Sequence, residues 1–169
     1  STFTGKDIDA GEQPPKTYAP SDLDVAQWIR VAREAGMKYA VLTAKHVSGF
    51  CLWDSEGYDY DVVNGADTTD VIAEFMKQCQ AQGIKPGLYY CVLDAHNEGG
   101  VKWNAAVDEK YFKLIKHHLT ELHTCYPGIY EQWISGRSHG TQPERSGRNS
   151  PAAGYISSPT RTAAGTSGP

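Results

Sequence analysis

The sequence predicts an α/β protein in which three helix-to-strand units pair their strands in parallel. Two observations support this prediction. Apolar residues recur with helical spacing in three segments, and a short run rich in β-branched and aromatic residues follows each of them. Parallel strands need a crossover between them, which a single helix supplies. Two architectures remain open at this point, an open doubly wound sheet and part of a (β/α)₈ barrel.

The first unit occupies residues 21–43. Ser21 and Asp24 have the pattern of a capping box, which predicts a helix start, and an apolar stripe follows. The stripe consists of Val25, Trp28, Ile29 and Ala32. Gly36 then ends the helix, and "MKYAVLT" (37–43) is too short and too rich in β-forming residues for another one. It predicts the first strand.

The second and third units repeat this plan. The second helical stripe consists of Val71, Ile72, Phe75, Met76 and Cys79. Gly83 stops that helix, and "IKPGLYYC" predicts the second strand. The third stripe consists of Tyr111, Leu114, Ile115, His118, Leu119 and Leu122. Pro127-Gly128 then leads into the last strand, so we expect about three parallel strands and three helices.

Composition narrows the class of protein and of partner. The chain has 169 residues, of which 40% are hydrophobic, and a net charge of -4. It has no basic stripe for nucleic acid and no apolar run of membrane-spanning length, so we expect neither partner. Its four cysteines lack zinc-ligand spacing and are interpreted as free thiols. The sequence leaves its cellular compartment open.

The composition changes sharply near residue 136. Residues 137–169 are dominated by Gly, Pro, Ser, Thr, Arg and Ala and show almost no apolar periodicity. Such a segment buries too little apolar surface to offset its ordering entropy. We therefore divide the chain into a folded domain, 1–136, and a low-complexity tail that is ordered only if its own domain or a neighbouring chain holds it.

Candidate site residues follow the predicted strands, because ligands of α/β proteins gather at the carboxyl ends of the strands. Lys45 and His46 come directly after the first strand. Tyr89 and its neighbour Tyr90 point to opposite faces of the second strand, so only one of them can line a site. Trp53 lies in a long loop and is either a stacking platform for a sugar ring or the plug of that loop.

Histidines of the third helix do not form a convincing metal site. On a helix, His117 is displaced by roughly 100° from the stripe that contains His118, and His123 lies further along. We therefore interpret them as one partly buried and two surface histidines and predict no metal and no cofactor. Glu131 lies four residues before Ser135 on the last strand, too deep to reach a ligand, and is interpreted as a structural carboxylate.

Four blocks of this sequence resemble consecutive blocks of the α-L-fucosidases of glycoside hydrolase family 29. They are "YAPSDLDVAQWIRVAREAGMKYAVLTAKHVSGFCLWDS", "DVVN", "KPGLYYCVLD" and "YPGIYEQWISG". The resemblance covers roughly residues 18 to 136, in the family's order. It implies part of a (β/α)₈ catalytic barrel that removes terminal L-fucose with retention, through a covalent glycosyl-enzyme.

The resemblance assigns roles by position. His46 matches the first histidine of the family's His-His-Asp-Gly-Phe segment, which contacts the fucose hydroxyls, and Tyr89 matches the first tyrosine of a pair near the sugar. The second histidine and the aspartate of that segment are replaced here by Val47 and Ser48. The family's nucleophile ends a strand with the pattern Trp-x-Asp, and Ser135 stands at that position.

A retaining glycosidase needs two carboxylates ~5–5.5 Å apart, and the resemblance places neither in this chain. A full barrel needs about 250 residues, so we interpret the chain as a truncated piece whose exposed sheet edges favour a homo-oligomer. Two hypotheses remain. The chain is a fucosidase-type hydrolase that acts on L-fucose-containing glycosides when the lost groups are supplied, or an inactive fold fragment that self-associates and binds sugar weakly at most.

Overall fold

The computed structural model describes residues 11–97 and 109–136. The elements in chain order are α1 (Val25–Glu34), β1 (Tyr39–Lys45), α2 (Val71–Gln82), β2 (Lys85–Cys91), α3 (Glu109–Cys125) and β3 (Glu131–Ser135). Single turns of 3₁₀ helix lie at Pro15–Thr17 and Val62–Asn64. The predicted α/β class, with three strands and three helices in the described part, is confirmed. The predicted tail, 137–169, lies outside the described residues.

The strands form one parallel sheet in the order β1-β2-β3. Parallel pairing was predicted from the single helix between successive strands, and it is confirmed. Near its end β1 contains a bulge: Thr43 pairs with Tyr89, but the next pair is Lys45 with Tyr90. The strand has the predicted length of seven residues but begins and ends two residues later than the sequence predicts, and its last residues lie beside the end of β2.

Helix α1 begins later than the predicted capping box indicates. Asp24 is its N-cap, and the Asp24 carboxylate accepts a hydrogen bond of 2.8 Å from the backbone N–H of Gln27. Ser21 lies before the helix, so the prediction of a box starting there is wrong. Val25 and Ile29 are buried as expected, whereas Trp28 is 41% exposed. The buried stripe is therefore narrower than predicted.

Helices α2 and α3 follow their predicted stripes closely. Gly83 ends α2 in the left-handed region, at φ 74°, and its N–H reaches the carbonyl oxygen of Cys79. Helix α3 buries Tyr111, Ile115, His118 and Leu122. Its 17 residues include several charged ones, and no helix in the described part of the chain is long and apolar enough to span a membrane.

The two faces of the sheet differ in burial. Leu88 and Tyr90 are fully buried on the face that belongs to the hydrophobic core. On the other face Tyr39 and Trp133 are each 49% exposed, and Thr43, which is in register with Trp133 through Tyr89, is exposed too. In the described ranges this second face is open. Consequently, Tyr89, which shares that face, is accessible from it.

Candidate functional site

Three predicted site residues meet at the carboxyl end of the sheet. The ring of His46, just past β1, stacks on the ring of Tyr89 in β2, with centroids 5.8 Å apart and planes 23° apart. The hydroxyl groups of Tyr89 and Ser135 are hydrogen-bonded to each other. Ser135 is the last residue of β3, and its carbonyl oxygen accepts a 2.7 Å hydrogen bond from the N–H of Val92. The three side chains thus bridge the three strands.

The two adjacent tyrosines have different environments, as the alternation of strand residues predicts. Tyr89 is partly exposed at the site, and burial raises its pKa, with the hydrogen bond to Ser135 opposing that shift. Tyr90 is fully buried, and its hydroxyl is 3.0 Å from Nδ1 of His118. Burial also raises the pKa of Tyr90. Both side chains therefore stay neutral phenols near neutral pH, and only Tyr89 can contact a ligand.

Lys45 turns away from the site although it precedes His46 directly. Its side chain is fully buried, and Nζ lies 3.1 Å from a carboxylate oxygen of Asp94. The same ammonium group donates to the carbonyl oxygens of Cys91, at 3.0 Å, and Leu93, at 3.3 Å. Sequence reasoning did not single out Asp94. Its position could have drawn attention to it, because it is an acidic residue three positions beyond a strand end, in "CVLDAHN".

Trp53, in the long loop after β1, points into the hydrophobic core and so has the plug role considered above. It is 0% exposed, so no face of the indole ring is free to stack on a sugar. Its indole N–H donates to a carboxylate oxygen of Glu121 on α3 at 3.1 Å, and Ser55 and the N–H of Glu56 donate to the same carboxylate at 2.7 Å each. This placement favours the plug interpretation over the stacking platform that we considered for Trp53.

The histidines of α3 lie in three different environments. His118 is fully buried, more completely than predicted. Its pKa is lowered to about 3, mainly by burial and to a smaller extent by the nearby positive charge of Lys45. His117 lies 2.9 Å from the carbonyl oxygen of Glu56, and His123 is exposed. Within residues 11–97 and 109–136, no group of three or more His, Cys, Asp or Glu residues is arranged to hold a metal ion.

The chemistry of the site follows from its three side chains. An imidazole and two hydroxyl groups can donate and accept hydrogen bonds, as recognition of a polyhydroxylated ring requires. None of the three is a carboxylate, and the neutral Tyr89 phenol is a poor base for activating Ser135. The three side chains therefore present hydrogen-bonding groups, and no carboxylate of their own, at the strand ends of an α/β domain.

Comparisons with known proteins identify the family to which this chain belongs. The family model for alpha-L-fucosidase matches residues 7–153. Alpha-L-fucosidase 1 of Arabidopsis thaliana is 36% identical over 141 residues, which cover 80% of this chain and 26% of the plant protein. The chain therefore belongs to the α-L-fucosidase family, and it spans about a quarter of the length of that relative.

Solved structures agree with this assignment. A trapped covalent intermediate of a Bacteroides thetaiotaomicron family 29 α-L-fucosidase, in complex with 2-fluoro-fucosyl fluoride, has a TM-score of 0.65 and 30% identity, covering 72% of this chain and 29% of that one. The α-L-fucosidase isoenzyme 1 of Paenibacillus thiaminolyticus has a TM-score of 0.63 and 30% identity, with 72% and 32% covered. The fold of the described part is thus shared with fucosidases.

Proposed function

We propose that the strand-end site of this chain recognises the terminal L-fucose of α-L-fucosides. The observation that carries this proposal is the convergence of His46, Tyr89 and Ser135 at the ends of three adjacent strands. The resemblance assigns all three to family positions near the sugar. His46 and Tyr89 supply the polar contacts to the fucose hydroxyls, and Trp53 contributes indirectly because it fastens the loop that follows His46.

Ser135 limits what the site can do to a bound fucoside. A retaining glycosidase attacks the anomeric carbon with one carboxylate and protonates the leaving oxygen with another. By the resemblance, Ser135 occupies the place of the attacking carboxylate, and a serine hydroxyl without a base is a weak nucleophile. We therefore propose that the chain binds α-L-fucosides and hydrolyses them only where another carboxylate or a partner chain supplies the lost groups.

We also propose that the chain corresponds to part of the family's (β/α)₈ barrel and associates with itself. The open face of the sheet supports this, since Tyr39 and Trp133 are about half exposed there. In the described residues β1 and β3 are also free sheet edges, which pair readily with another chain. A light-scattering mass above the 18.5 kDa of one chain is expected. A mass equal to one chain would contradict self-association.

Hydrolysis is tested by release of nitrophenol from an aryl α-L-fucoside, with a sample of verified mass. We expect turnover far below that of a fucosidase, and any turnover is expected to disappear in His46→Ala. The matched control is His123→Ala, an exposed histidine of α3 outside the site. Turnover that survives His46→Ala would show that it does not come from this site and would count against the proposal.

A further inference from the structure

The end of β1 contains a bulge that decides which way His46 points. Strand residues alternate between the two faces of a sheet, so without a bulge Lys45 would share the face of Thr43 and Tyr89. Instead β1 advances two residues, from Thr43 to Lys45, while β2 advances one, from Tyr89 to Tyr90. Lys45 therefore lies on the core side, and His46 reaches Tyr89.

A buried ion pair lies at this bulge. The Lys45 ammonium group has three oxygen partners, which are Asp94 and the carbonyls of Cys91 and Leu93, and it lies 4.9 Å from the ring centroid of Tyr90. All of these groups belong to the end of β2 or to the segment that follows it. A register that took the ammonium group out of the core would leave the buried Asp94 carboxylate without its partner, and an unpaired buried charge is costly.

Asp94 is fixed from the other side. Its carboxylate accepts hydrogen bonds of 2.9 Å from both the backbone N–H and the side-chain amide of Asn97. The adjacent Ala95 donates its N–H to the carbonyl oxygen of Val47 at 2.7 Å. A Cβ on Gly49 would lie 2.3 Å from the Asp94 carboxylate, so only glycine allows this close approach.

His46 therefore lies between two tethered residues. Lys45 is bound to Asp94, and Val47 is bound to Ala95, so the segment after β2 fastens the chain on both sides of the imidazole. The side chain of His46 itself is exposed, and its described ring contact is the stack on Tyr89. Its orientation thus depends on the backbone that carries it.

We propose that Lys45 and Asp94 are positioning residues, whose buried ion pair holds the β1 bulge and thereby sets His46 against Tyr89 in the sugar-recognition site. The relevance of this ion pair to fucose binding rests on the proposed function. Its effect on the orientation of His46 does not rest on it, because that orientation can be measured without any ligand. Neither residue touches the sugar, and both act through His46.

The test measures the ring-proton resonances of His46 by NMR, since a stacked tyrosine shifts them. Tyr89→Leu gives the reference position without stacking. In Lys45→Met combined with Asp94→Leu, which removes both buried charges together, the His46 resonances are expected to move to that reference position. The Ile29 methyl resonances, which report on the core next to α1, are expected to stay in place.

Two further variants make the result decisive. Asp94→Asn keeps the shape of the side chain and one acceptor oxygen, so it is expected to fold and to shift His46 part of the way. Lys77→Met with Glu74→Gln removes an exposed pair of similar length, 3.0 Å, and is expected to shift nothing. His46 resonances that stay at the wild-type position in folded Asp94→Asn would overturn the proposal, whatever the double variant does.

Binding of L-fucose gives a second and separable readout. If the proposed function is correct, the double variant is expected to weaken L-fucose binding at least about tenfold, equivalent to ~1.4 kcal/mol. Absence of L-fucose binding by the wild-type chain would contradict the proposed function alone, because the His46 resonances still report on the ion pair. Unchanged fucose affinity in a double variant with shifted His46 resonances would contradict the positioning role.

Discussion

The hydroxyl groups of Tyr89 and Ser135 are hydrogen-bonded across the ends of two neighbouring strands. By the resemblance, the bond joins a residue at a sugar-binding position of the family to one at the position of the nucleophile. It also fixes the Tyr89 ring on which His46 stacks. The consequences of this relationship can be measured at Ser135 directly.

Ser135→Asp is expected to create a carboxylate that accepts a hydrogen bond from the Tyr89 hydroxyl. A hydrogen bond donated to the charged form lowers the pKa of an aspartate below its ordinary value of about 3.9. We expect a carbon-detected NMR titration to show this lowered pKa, and little gain in fucoside hydrolysis because the proposed function leaves the chain without the second carboxylate. In the control, Tyr89→Phe with Ser135→Asp, the pKa is expected to rise again. A value at or above the ordinary one in Ser135→Asp would contradict the proposed contact.

Glu121→Gln is expected to destabilise the fold by about 1–3 kcal/mol, since hydrogen bonds to a charged acceptor are stronger than those to a neutral one. The Glu121 carboxylate accepts from Trp53, Ser55 and the N–H of Glu56, and so attaches the long loop to α3. Urea denaturation measures the loss. Glu109→Gln, at an exposed position of the same helix, is the matched control and is expected to change stability by less than about 0.5 kcal/mol. Equal effects of the two substitutions would count against the anchoring role of Glu121.

His118 is expected to make the fold acid-sensitive. Its pKa is about 3 in the folded state, mainly because of burial, whereas an unfolded histidine titrates near 6.5. Between these values the unfolded chain binds the extra proton, so this contribution to stability is complete above about pH 6.5 and is lost as the pH falls toward 3. The maximal slope is about 1.4 kcal/mol per pH unit. Denaturation at several pH values measures it. His118→Gln is expected to flatten the curve, and His123→Gln, at an exposed position, is expected to leave it unchanged; a curve that His118→Gln leaves unaltered would contradict this assignment.

Thiol reactivity is expected to be concentrated at Cys125. All four cysteines are free, and Cys125 is the exposed one whereas Cys51, Cys79 and Cys91 are buried. Burial also raises the pKa of Cys51, and that of Cys79 to about 11, which disfavours the reactive thiolate. Iodoacetamide under native conditions is expected to add one group per chain, located by peptide mass spectrometry. Cys125→Ser is expected to prevent that addition, and rapid labelling of the other three would contradict the buried placement.

The helices were predictable where one apolar stripe and one stop signal agreed. The stripe of α2 ends at Gly83, and the structure ends the helix there too. The start of α1 could not be predicted in this way, because Ser21 and Asp24 can both cap a helix. Only the structure shows that Asp24 accepts the capping hydrogen bond, from the N–H of Gln27. Free thiols were also predicted correctly from spacing alone.

The candidate site was predictable only in part. Position after a strand singled out His46, and the resemblance chose Tyr89 over Tyr90. The strand pattern gave no sign of the bulge that places Lys45 in the core. Asp94 is 49 residues from Lys45, and nothing local links the two in sequence. Trp53 was ambiguous because an aromatic residue in a loop can pack inward or face a ligand equally well. Tertiary contacts resolved each of these cases.

The most direct test of the central claim is an NMR titration of the full chain with L-fucose, using D-fucose as the mirror-image control. We expect saturable shifts of the His46 and Tyr89 resonances with L-fucose, much weaker shifts with D-fucose, and loss of the response in His46→Ala. Resonances that do not respond to L-fucose, or respond equally to both enantiomers, would contradict the account of this site as a fucose-recognition site.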